Sequence, residues 1–345
     1  MLDKEEIKQI REFLENSRNP VFFFDNDLDG LASFLLLSRY IQRGKGVAIK
    51  SFPDLNESYS RKLHEFNPDC VFILDKPIVS SDFLEEAKKL NIPVVWIDHH
   101  DVEVDLFNFD SVYYFNPIKK ARGNEPVTFL CWQISQKKED IWIALAGCIG
   151  DNFLPDFVSE FQKDFSDLWK EDMKTAFQVL YESDIGKIIR ILNFALKDRT
   201  SNVVRMLKLL LVLKNPRDIL VEDKKNFLLY RFNQVERKYK KLIEKAINLA
   251  STKLVFFQYG GDLSLSADIS NELLYRLPGK IIVVAYVYGA MVNISLRGKK
   301  VRELTLKAIE GLEDATGGGH EDATGCKINV EDLPKFKERI ENLIR

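Results

Sequence analysis

The sequence contains an acidic run, Asp25-Asn26-Asp27-Leu28-Asp29-Gly30, in which a carboxylate stands at every second position. On an extended backbone these side chains would point the same way, roughly 7 Å from one to the next. Acids this close repel one another unless cations lie between them. The run is therefore a candidate site for divalent metal ions, and a solvated turn is the alternative interpretation.

Histidines are rare in the chain, and some of them stand where they could act with these acids. The segment Ile97-Asp98-His99-His100 places two adjacent imidazoles and a carboxylate directly after an apolar stretch. In Gly317-Gly318-Gly319-His320, the glycines let the backbone approach a ligand closely and expose its N–H groups to an anion. His64 lies in a charged helical stretch, so we expect it on the surface.

The apolar pattern predicts the elements that must position these residues. Strands are predicted at Val21–Phe24, Val47–Phe52, Cys70–Leu74 and Val94–Ile97, and helices at 3–16, 31–43 and 81–90. Strands alternating with helices predict a parallel sheet with helices on both faces, whose ligands bind beyond the carboxyl ends of the strands. Because Asp25, Asp75 and Asp98 each follow a strand directly, we expect them to converge at one edge of the sheet.

The pattern changes in the second half of the chain. Residues from about 155 to 250 are helical in character, and 223–250, without Gly or Pro, predicts one long helix. Strand patterns return at Leu254–Gln258, Lys280–Tyr288 and Met291–Leu296, with Gly289-Ala290 as a hairpin turn. We therefore predict the α/β class: a parallel-sheet domain over 1–190, a helical connector over 191–250 and a smaller α/β domain over 251–345.

Composition limits the classes of function. The 345 residues carry a formal net charge of −2, so any contact with nucleic acid must come from a local basic patch. The cysteines lie far apart, as expected for reduced thiols. The N-terminal segment is too charged for a signal peptide, and the longest apolar run, near Ile281–Val292, is too short to span a bilayer. We predict a cytoplasmic protein with no membrane partner.

Clusters of basic residues could provide the local patch. They are Lys119-Lys120-Ala121-Arg122, Arg237-Lys238-Tyr239-Lys240-Lys241 and Lys299-Lys300-Val301-Arg302. Basic tracks with interleaved aromatic side chains bind single strands with little sequence preference. The alternative for each cluster is an ordinary solvated surface.

Two other kinds of site share part of the acidic pattern. An EF-hand calcium loop has the same D-x-D-x-D-G start, but the position of its bidentate Glu is Leu36 here, and a strand precedes the run. We reject that interpretation. A haloacid-dehalogenase-like phosphatase would use Asp25 as its nucleophile and Gly150-Asp151 with Asp156 as its late acids. This alternative leaves the histidines unexplained.

Taken together, the motifs resemble the DHH phosphoesterase superfamily, and in particular its RecJ-like nucleases. The matching segments are Asp25-Asn26-Asp27-Leu28-Asp29-Gly30, Asp75, Asp98-His99-His100, Gly147-Cys148-Ile149-Gly150-Asp151, Ser295-Leu296-Arg297-Gly298 and Gly317-Gly318-Gly319-His320. The last two are similar to motifs of the DHH-associated C-terminal domain. The resemblance covers nearly the whole chain.

The resemblance implies two divalent cations, Mn²⁺ first and Mg²⁺ second. The expected ligands are Asp25, Asp27 and Asp75 for one cation, and Asp29, Asp75, His99 and Asp151 for the other. Oxygen-rich sites with one imidazole suit these ions better than zinc. Such a pair of ions would polarise a phosphate and activate water for attack on phosphorus.

The resemblance also implies roles around the metal ligands. Asp98, His99 and His100 are the expected catalytic residues, with Asp98 orienting an imidazole and His100 facing the substrate phosphate. The expected substrate-binding residues are His100, Arg297, Gly318, Gly319 and His320. Arg297 would offer a planar fork to two phosphate oxygens, in a cleft between the domains.

The chain departs from the family pattern at two places. Many members carry a His four residues before the second Asp of the acidic run, where this chain has Phe23. RecJ-like members often carry an Asp or His two residues before it, which Asp25 satisfies. Lys76-Pro77 follows Asp75, where a glycine-containing turn is more usual.

The leading hypothesis is a RecJ-like exonuclease that acts on single-stranded DNA or RNA. By analogy, its partners would include replication or repair proteins such as a helicase. One alternative is a phosphodiesterase for short oligonucleotides (nanoRNase-like) or cyclic dinucleotides. Another is a non-catalytic, DNA-binding replication scaffold; such relatives lose metal ligands, whereas Asp27, Asp29, Asp75, His99 and Asp151 are all present here.

Overall fold

The chain folds into two compact units, Met1–Phe232 and Asn233–Arg345. The structure is a computed structural model, and it describes residues 1–49, 54–223, 225–250 and 253–344. The boundary between the units falls inside a long helix, Phe227–Ile247. Within the described ranges, no helix is both long and apolar enough to cross a membrane.

The first unit contains a parallel sheet surrounded by helices. The strands of this unit are β1 (Pro20–Asp25), β2 (Lys45–Ile49), β3 (Asp54–Leu55), β4 (Cys70–Leu74), β5 (Ile78–Val79), β6 (Val94–Ile97) and β7 (Val112–Phe115). Its helices are α1 (Lys4–Asn16), α2 (Leu28–Ile41), α3 (Arg61–Phe66), α4 (Ser81–Lys89), α5 (Val127–Ser135), α6 (Ile141–Gly150), α7 (Val158–Phe165), α8 (Ala176–Glu182), α9 (Asp184–Leu196) and α10 (Thr200–Leu210). The boundary helix, α11 (Phe227–Ile247), follows.

The main sheet has the strand order β2-β1-β4-β6-β7, and all of its pairings are parallel. Helices cover both faces because side chains alternate along β1. Phe23 packs edge-on against Phe83 of α4, with ring centroids 5.2 Å apart. Phe22 and Phe24 point the other way and contact Phe34 of α2. The predicted parallel sheet with two covered faces is confirmed.

The acidic run does not share one extended segment, so that part of the sequence prediction is wrong. Only Asp25 lies in β1, and the helix that follows begins at Leu28, earlier than predicted. Asp27 is its N-cap, and the carboxylate accepts a hydrogen bond from the Gly30 N–H at 3.0 Å. This cap lets the helix start within the run. Asp29 consequently lies in the first turn of α2.

Other predicted bounds shift by a few residues. The predicted helix over 223–250 begins at Phe227, because Asn226 accepts a hydrogen bond from the Leu229 N–H and acts as its cap. The predicted strand Val47–Phe52 corresponds to β2 up to Ile49, and its remainder lies outside the described residues.

His64 is 58% exposed, as predicted, and pairs with Glu86. The cysteines are buried and free, also as predicted.

The second unit is a mixed sheet with its own core. Beyond α11, its elements are β8 (Leu254–Gly260), α12 (Ser266–Arg276), β9 (Ile281–Tyr288), β10 (Met291–Arg297), α13 (Val301–Ile309), β11 (Thr316–His320), β12 (Ala323–Asn329) and α14 (Leu333–Ile344). The strand order is β11-β12-β10-β9-β8, with only the β8–β9 pair parallel. Gly289, at φ +58, forms the predicted hairpin turn between β9 and β10. The predicted second α/β domain is thus present.

Two glycines let the end of α6 approach the start of α2. A Cβ atom on Gly147 would lie 2.2 Å from Thr128 Oγ1 and 2.6 Å from Ala32 Cβ. A Cβ atom on Gly150 would lie 2.7 Å from the Leu28 Cβ. Since no side chain fits at either position, the glycines of this motif serve packing. They bring Asp151, which directly follows α6, toward the acidic run.

We expect Gly147→Ala to lower the free energy of unfolding by about 1–3 kcal/mol, the usual cost of overpacking a buried contact. Guanidinium denaturation followed by circular dichroism measures this change. Gly318→Ala is the control, because a Cβ atom there meets nothing within 4 Å. Equal stability of wild type and Gly147→Ala would show that α2 and α6 are not closely packed.

Candidate metal centre

Three neighbouring strands deliver the candidate residues to one edge of the sheet. In the register of the sheet, Phe24 of β1 lies beside Leu74 of β4, and Leu74 lies beside Ile97 of β6. The next residues along the chain are Asp25, Asp75 and Asp98. The predicted convergence of the three strand ends is therefore present, and it follows from parallel pairing alone.

Asp29 reaches this edge from α2 and is only 3% exposed. Its two carboxylate oxygens accept hydrogen bonds from the N–H groups of Val127, at 2.8 Å, and Thr128, at 2.6 Å. These are the first residues of α5, so Asp29 caps a helix that lies about a hundred residues further along the chain. A carboxylate has further lone pairs beyond these two bonds, which leaves it able to bind a cation as well.

His99 lies at the centre of a group of carboxylates. Its Nε2 atom is 3.5 Å from Asp75 Oδ1, 3.9 Å from Asp29 Oδ2 and 4.0 Å from Asp151 Oδ2. The imidazole is 4% exposed, and this burial lowers the pKa of His99 below its usual value. A neutral imidazole facing three carboxylates has the chemistry of a metal ligand rather than of a salt-bridge partner.

Asp75 is a buried carboxylate whose charge is poorly compensated by the surrounding protein groups. It is 2% exposed and adopts a left-handed backbone conformation, at φ +58. Among the described residues, its Oδ1 atom has no hydrogen-bond partner. Burial, followed by the charges of Asp29, Asp27 and Asp25, raises the pKa of Asp75 well above its usual value. A buried carboxylate oxygen in this state is stabilised by a bound cation.

Asp25, Asp27 and Asp75 form the other half of the acidic group, with ligand oxygens within 4.8 Å of one another. Lost hydration among the neighbouring groups, together with the charges of Asp25 and Asp29, raises the pKa of Asp27 to about 7, although Asp27 remains exposed to solvent. A side chain that the sequence analysis did not place here also takes part. The fully buried Lys76 brings its Nζ atom to 2.9 Å from Asp25 Oδ1.

A hydrogen-bond network behind the acids fixes His100. Asp98, which is completely buried, accepts hydrogen bonds from His100 Nδ1 at 2.8 Å and from the His100 N–H at 3.2 Å. Tyr114 and Asn116, from β7 and the residue after it, donate to the same carboxylate at 3.3 and 3.5 Å. Burial acts to lower the pKa of His100, but the Asp98 hydrogen bond and charge outweigh it and raise the pKa.

These observations show that residues of the first unit have the types and the spacing of ligands for a divalent cation. Asp29, His99 and Asp151 each offer a ligand atom within 4.8 Å of the others, and the buried Asp75 oxygen lies beside them. Carboxylate oxygens with one imidazole suit Mn²⁺ or Mg²⁺. The fit is less complete around Asp25, where Lys76 already supplies a positive charge.

Sequence reasoning did not assign roles to Lys76, Tyr114 or Asn116. Lys76 stood out only as a departure from the family pattern. Asn116 directly follows the next strand of the sheet, so the rule that located Asp75 and Asp98 could have located it too. Its amide also donates to the His100 carbonyl oxygen at 2.9 Å, which holds the turn after β6 in place.

The predicted substrate-binding residues other than His100 lie in the second unit. Arg297, which ends β10, donates from Nε to Asn271 at 2.5 Å and from Nη1 to the Leu296 carbonyl at 2.8 Å. The residues Gly317-Gly318-Gly319-His320 form most of the edge strand β11. A Cβ atom on Gly319 would lie 2.6 Å from the Ala323 carbonyl oxygen, whereas Gly318 is open. Their binding of substrate stays a prediction.

The basic clusters differ in how far acids already neutralise them. In the first cluster, Lys119 pairs with Asp101, Lys120 with Glu6 and Arg122 with Asp3. In the second, Lys238 pairs with Asp262, Lys240 pairs with Glu236, and Tyr239 is buried. For Lys299, Lys300 and Arg302 no ion pair occurs within the described part of the chain. This third cluster is therefore not neutralised by ion pairs among the described residues.

When a chelator removes metal ions, substitution of Asp29 should lower the stability of the protein, whereas substitution of Asp75 should raise it. We expect Asp29→Ala to lower the free energy of unfolding by about 1–3 kcal/mol, because two buried N–H groups at the start of α5 lose their acceptor. Asp29→Asn keeps one acceptor oxygen and should lose less. Thermal unfolding in EDTA gives the measurement, and an unchanged Asp29→Ala would contradict the capping role.

For Asp75→Asn we expect a Tm in EDTA above that of wild type, by about 2–4 °C for each kcal/mol of relieved repulsion. Asparagine tolerates the left-handed backbone of this position, so the substitution removes charge with little strain. The gain should disappear in Mn²⁺, which stabilises only a protein that binds it. A Tm several degrees lower in EDTA would show that Asp75 is a structural acid.

Comparison with known proteins agrees with this geometry. The DHH family, N-terminal domain, matches residues 21–149, and the DHHA1 domain matches residues 250–345. No curated protein sequence matches the chain. The dehalogenase-like alternative is not supported, since the matching family accounts for the histidines as well as the acids.

Solved structures of similar fold include RecJ from Thermus thermophilus in complex with Mn²⁺. It has a TM-score of 0.67 at 14% identity, and the match covers 98% of this chain but 54% of that chain, so this chain spans about half of that protein. An exonuclease RecJ bound to manganese has a TM-score of 0.63 at 15% identity, with 98% of this chain and 93% of that chain covered. CDC45 from Entamoeba histolytica has a TM-score of 0.56 at 10% identity, with 98% of each chain covered.

At these identities the structural likeness establishes the fold and not the activity. The two family models match in the order expected from the motifs, and together they cover the strands of the first sheet and the whole second sheet. The chain is therefore a member of the DHH superfamily, with a RecJ-like fold and a DHHA1 domain.

Proposed function

We propose that this chain is a metal-dependent phosphodiesterase that digests single-stranded nucleic acid from an end. The observation that carries the proposal is the position of His99, whose Nε2 lies 3.5–4.0 Å from carboxylate oxygens of Asp75, Asp29 and Asp151. Such a group of ligands holds a divalent cation in phosphoesterases. The RecJ exonucleases of the same fold support the choice of substrate class.

Each residue of the group has a distinct task in this proposal. Asp29, Asp75, His99 and Asp151 would hold a divalent cation, which when bound polarises a phosphate and activates water. Asp29 is held in place by its two bonds to α5, which fixes the direction of its remaining lone pairs. Asp75 is fixed by the end of β4, where its N–H donates to the Ile97 carbonyl at 3.0 Å.

His100 would bind the substrate phosphate. The hydrogen bond from Nδ1 to Asp98 fixes the ring and sets Nε2 as the nitrogen that meets the ligand. Because its pKa is raised, the imidazole carries a positive charge over a wider pH range, which suits a phosphate oxygen. Asp98 acts through His100 and is a positioning residue.

A second candidate substrate is a very short oligonucleotide. It is favoured by the neutralised basic clusters, since Lys119, Lys120 and Arg122 are all bound by acids. A long single strand needs several cations along its path, and the binding then weakens steeply as salt rises. A two-nucleotide substrate needs only the phosphate-binding residues near the metal.

Digestion of end-labelled single strands of DNA and RNA tests the proposal. Strands from dinucleotides to thirty-mers would be incubated with Mn²⁺ or Mg²⁺, and with EDTA as the metal-free control. We expect wild type to shorten strands from one end. His99→Ala and Asp75→Asn should lose more than about 100-fold in rate, because even the outer partners of metal ligands contribute about 10- to 100-fold.

His64→Ala is the matched control, since it removes an imidazole from an exposed surface pair with Glu86. It should keep the wild-type rate. A dinucleotide cleaved faster than a thirty-mer, with little salt dependence, would favour the short-substrate candidate. Mn²⁺-independent binding of strands without cleavage would overturn the enzymatic proposal in favour of a non-catalytic, DNA-binding scaffold.

A further inference from the structure

A buried lysine side chain lies among the candidate metal ligands. Lys76 directly follows Asp75, its side chain is 0% exposed, and its Nζ atom is 2.9 Å from Asp25 Oδ1. A lysine is almost never fully buried unless it is paired, because its ammonium group must be compensated for lost hydration. The pair with Asp25 is therefore part of the site rather than a surface contact.

The backbone of this lysine is anchored on both sides. The Trp96 indole N–H donates to the Lys76 carbonyl oxygen at 2.9 Å, and both groups are buried. Asp75, immediately before it, is held in the left-handed conformation at φ +58, and Pro77 follows it. With its backbone fixed and its side chain enclosed, Lys76 has little freedom to withdraw from Asp25.

The same half of the site also lacks an imidazole among its described ligands. Phe23, the position at which many family members carry a His, is fully buried and packs against Phe83 in the core beneath the sheet. The ligands left around Asp25 are carboxylates alone, and one of them is already bound by an ammonium group. The other half, in contrast, is centred on the His99 imidazole.

These observations make the two halves unequal. A divalent ion bound by Asp25 would lie close to the buried Lys76 ammonium, and the two positive charges would repel each other. The ammonium group provides one positive charge to Asp25 without needing an ion from solution. The half centred on His99 has carboxylates and an imidazole within reach of one ion.

We propose that Lys76 replaces one of the two cations, so that this site binds a single divalent ion. The ion is held by Asp29, Asp75, His99 and Asp151, and the Lys76 ammonium balances Asp25. This inference rests on the proposed function, because it concerns the same site. It specifies a one-metal centre with a lysine in the place of the second metal.

Metal stoichiometry tests this directly and does not depend on activity. The full chain, stripped with EDTA and dialysed, would be titrated with Mn²⁺ by calorimetry, and the bound ion examined by electron paramagnetic resonance. We expect one equivalent of Mn²⁺ for wild type, with the signal of an isolated ion. Two equivalents with an exchange-coupled signal would overturn the inference and leave the proposed function standing.

Lys76→Met removes the charge and keeps a long, apolar side chain of similar volume. We expect this variant to bind a second equivalent of Mn²⁺ and to show coupling between the ions. Lys307→Met is the matched control, since it removes an exposed lysine that is paired with Glu303 within α13 of the second unit, and it should keep a single equivalent. A second equivalent in both variants, or in neither, would overturn the proposal.

The wild-type stoichiometry is decisive by itself if Lys76→Met does not fold. His99→Ala tests the ion site that both proposals share, because it removes the imidazole at the centre of the ion-binding half and should abolish tight binding. Wild type that binds no Mn²⁺ would overturn both the one-metal centre and the proposed function. Wild type that binds one ion, with Lys76→Met binding two, supports both.

Discussion

The main constraint on the first unit is the repulsion between the carboxylates that parallel strands bring to one edge of the sheet. Asp25, Asp75 and Asp98 arrive there because their strands are neighbours, and Asp29 arrives from the helix that follows β1. Buried charges of one sign destabilise a fold unless hydrogen bonds, opposite charges or ions compensate them. The arrangement of the surrounding elements can be understood as a set of such compensations.

Each acid is compensated in its own way. Asp98 is completely buried and accepts hydrogen bonds from His100, Tyr114 and Asn116. Asp29 accepts two N–H groups of α5 and still faces His99. Asp75 has an oxygen with no hydrogen-bond partner among the described residues, a state that a bound cation would stabilise.

The second unit carries a different kind of chemistry. Arg297 is held by an amide and a backbone carbonyl, and the glycine-rich edge strand β11 leaves open space where a Gly318 side chain would lie. Lys299, Lys300 and Arg302 add positive charge near the end of β10. Such a surface suits phosphate groups.

The sequence by itself determined which residues meet at the edge of the sheet, because apolar strands followed by acids predict both the parallel pairing and the ends that converge. Only the tertiary structure decided how the acids are compensated. The bond from Asp29 to Thr128 joins residues 99 apart in the chain, and that from Lys76 to Asp25 joins residues 51 apart. Such contacts form when distant elements pack, and local patterns carry no information about those distances.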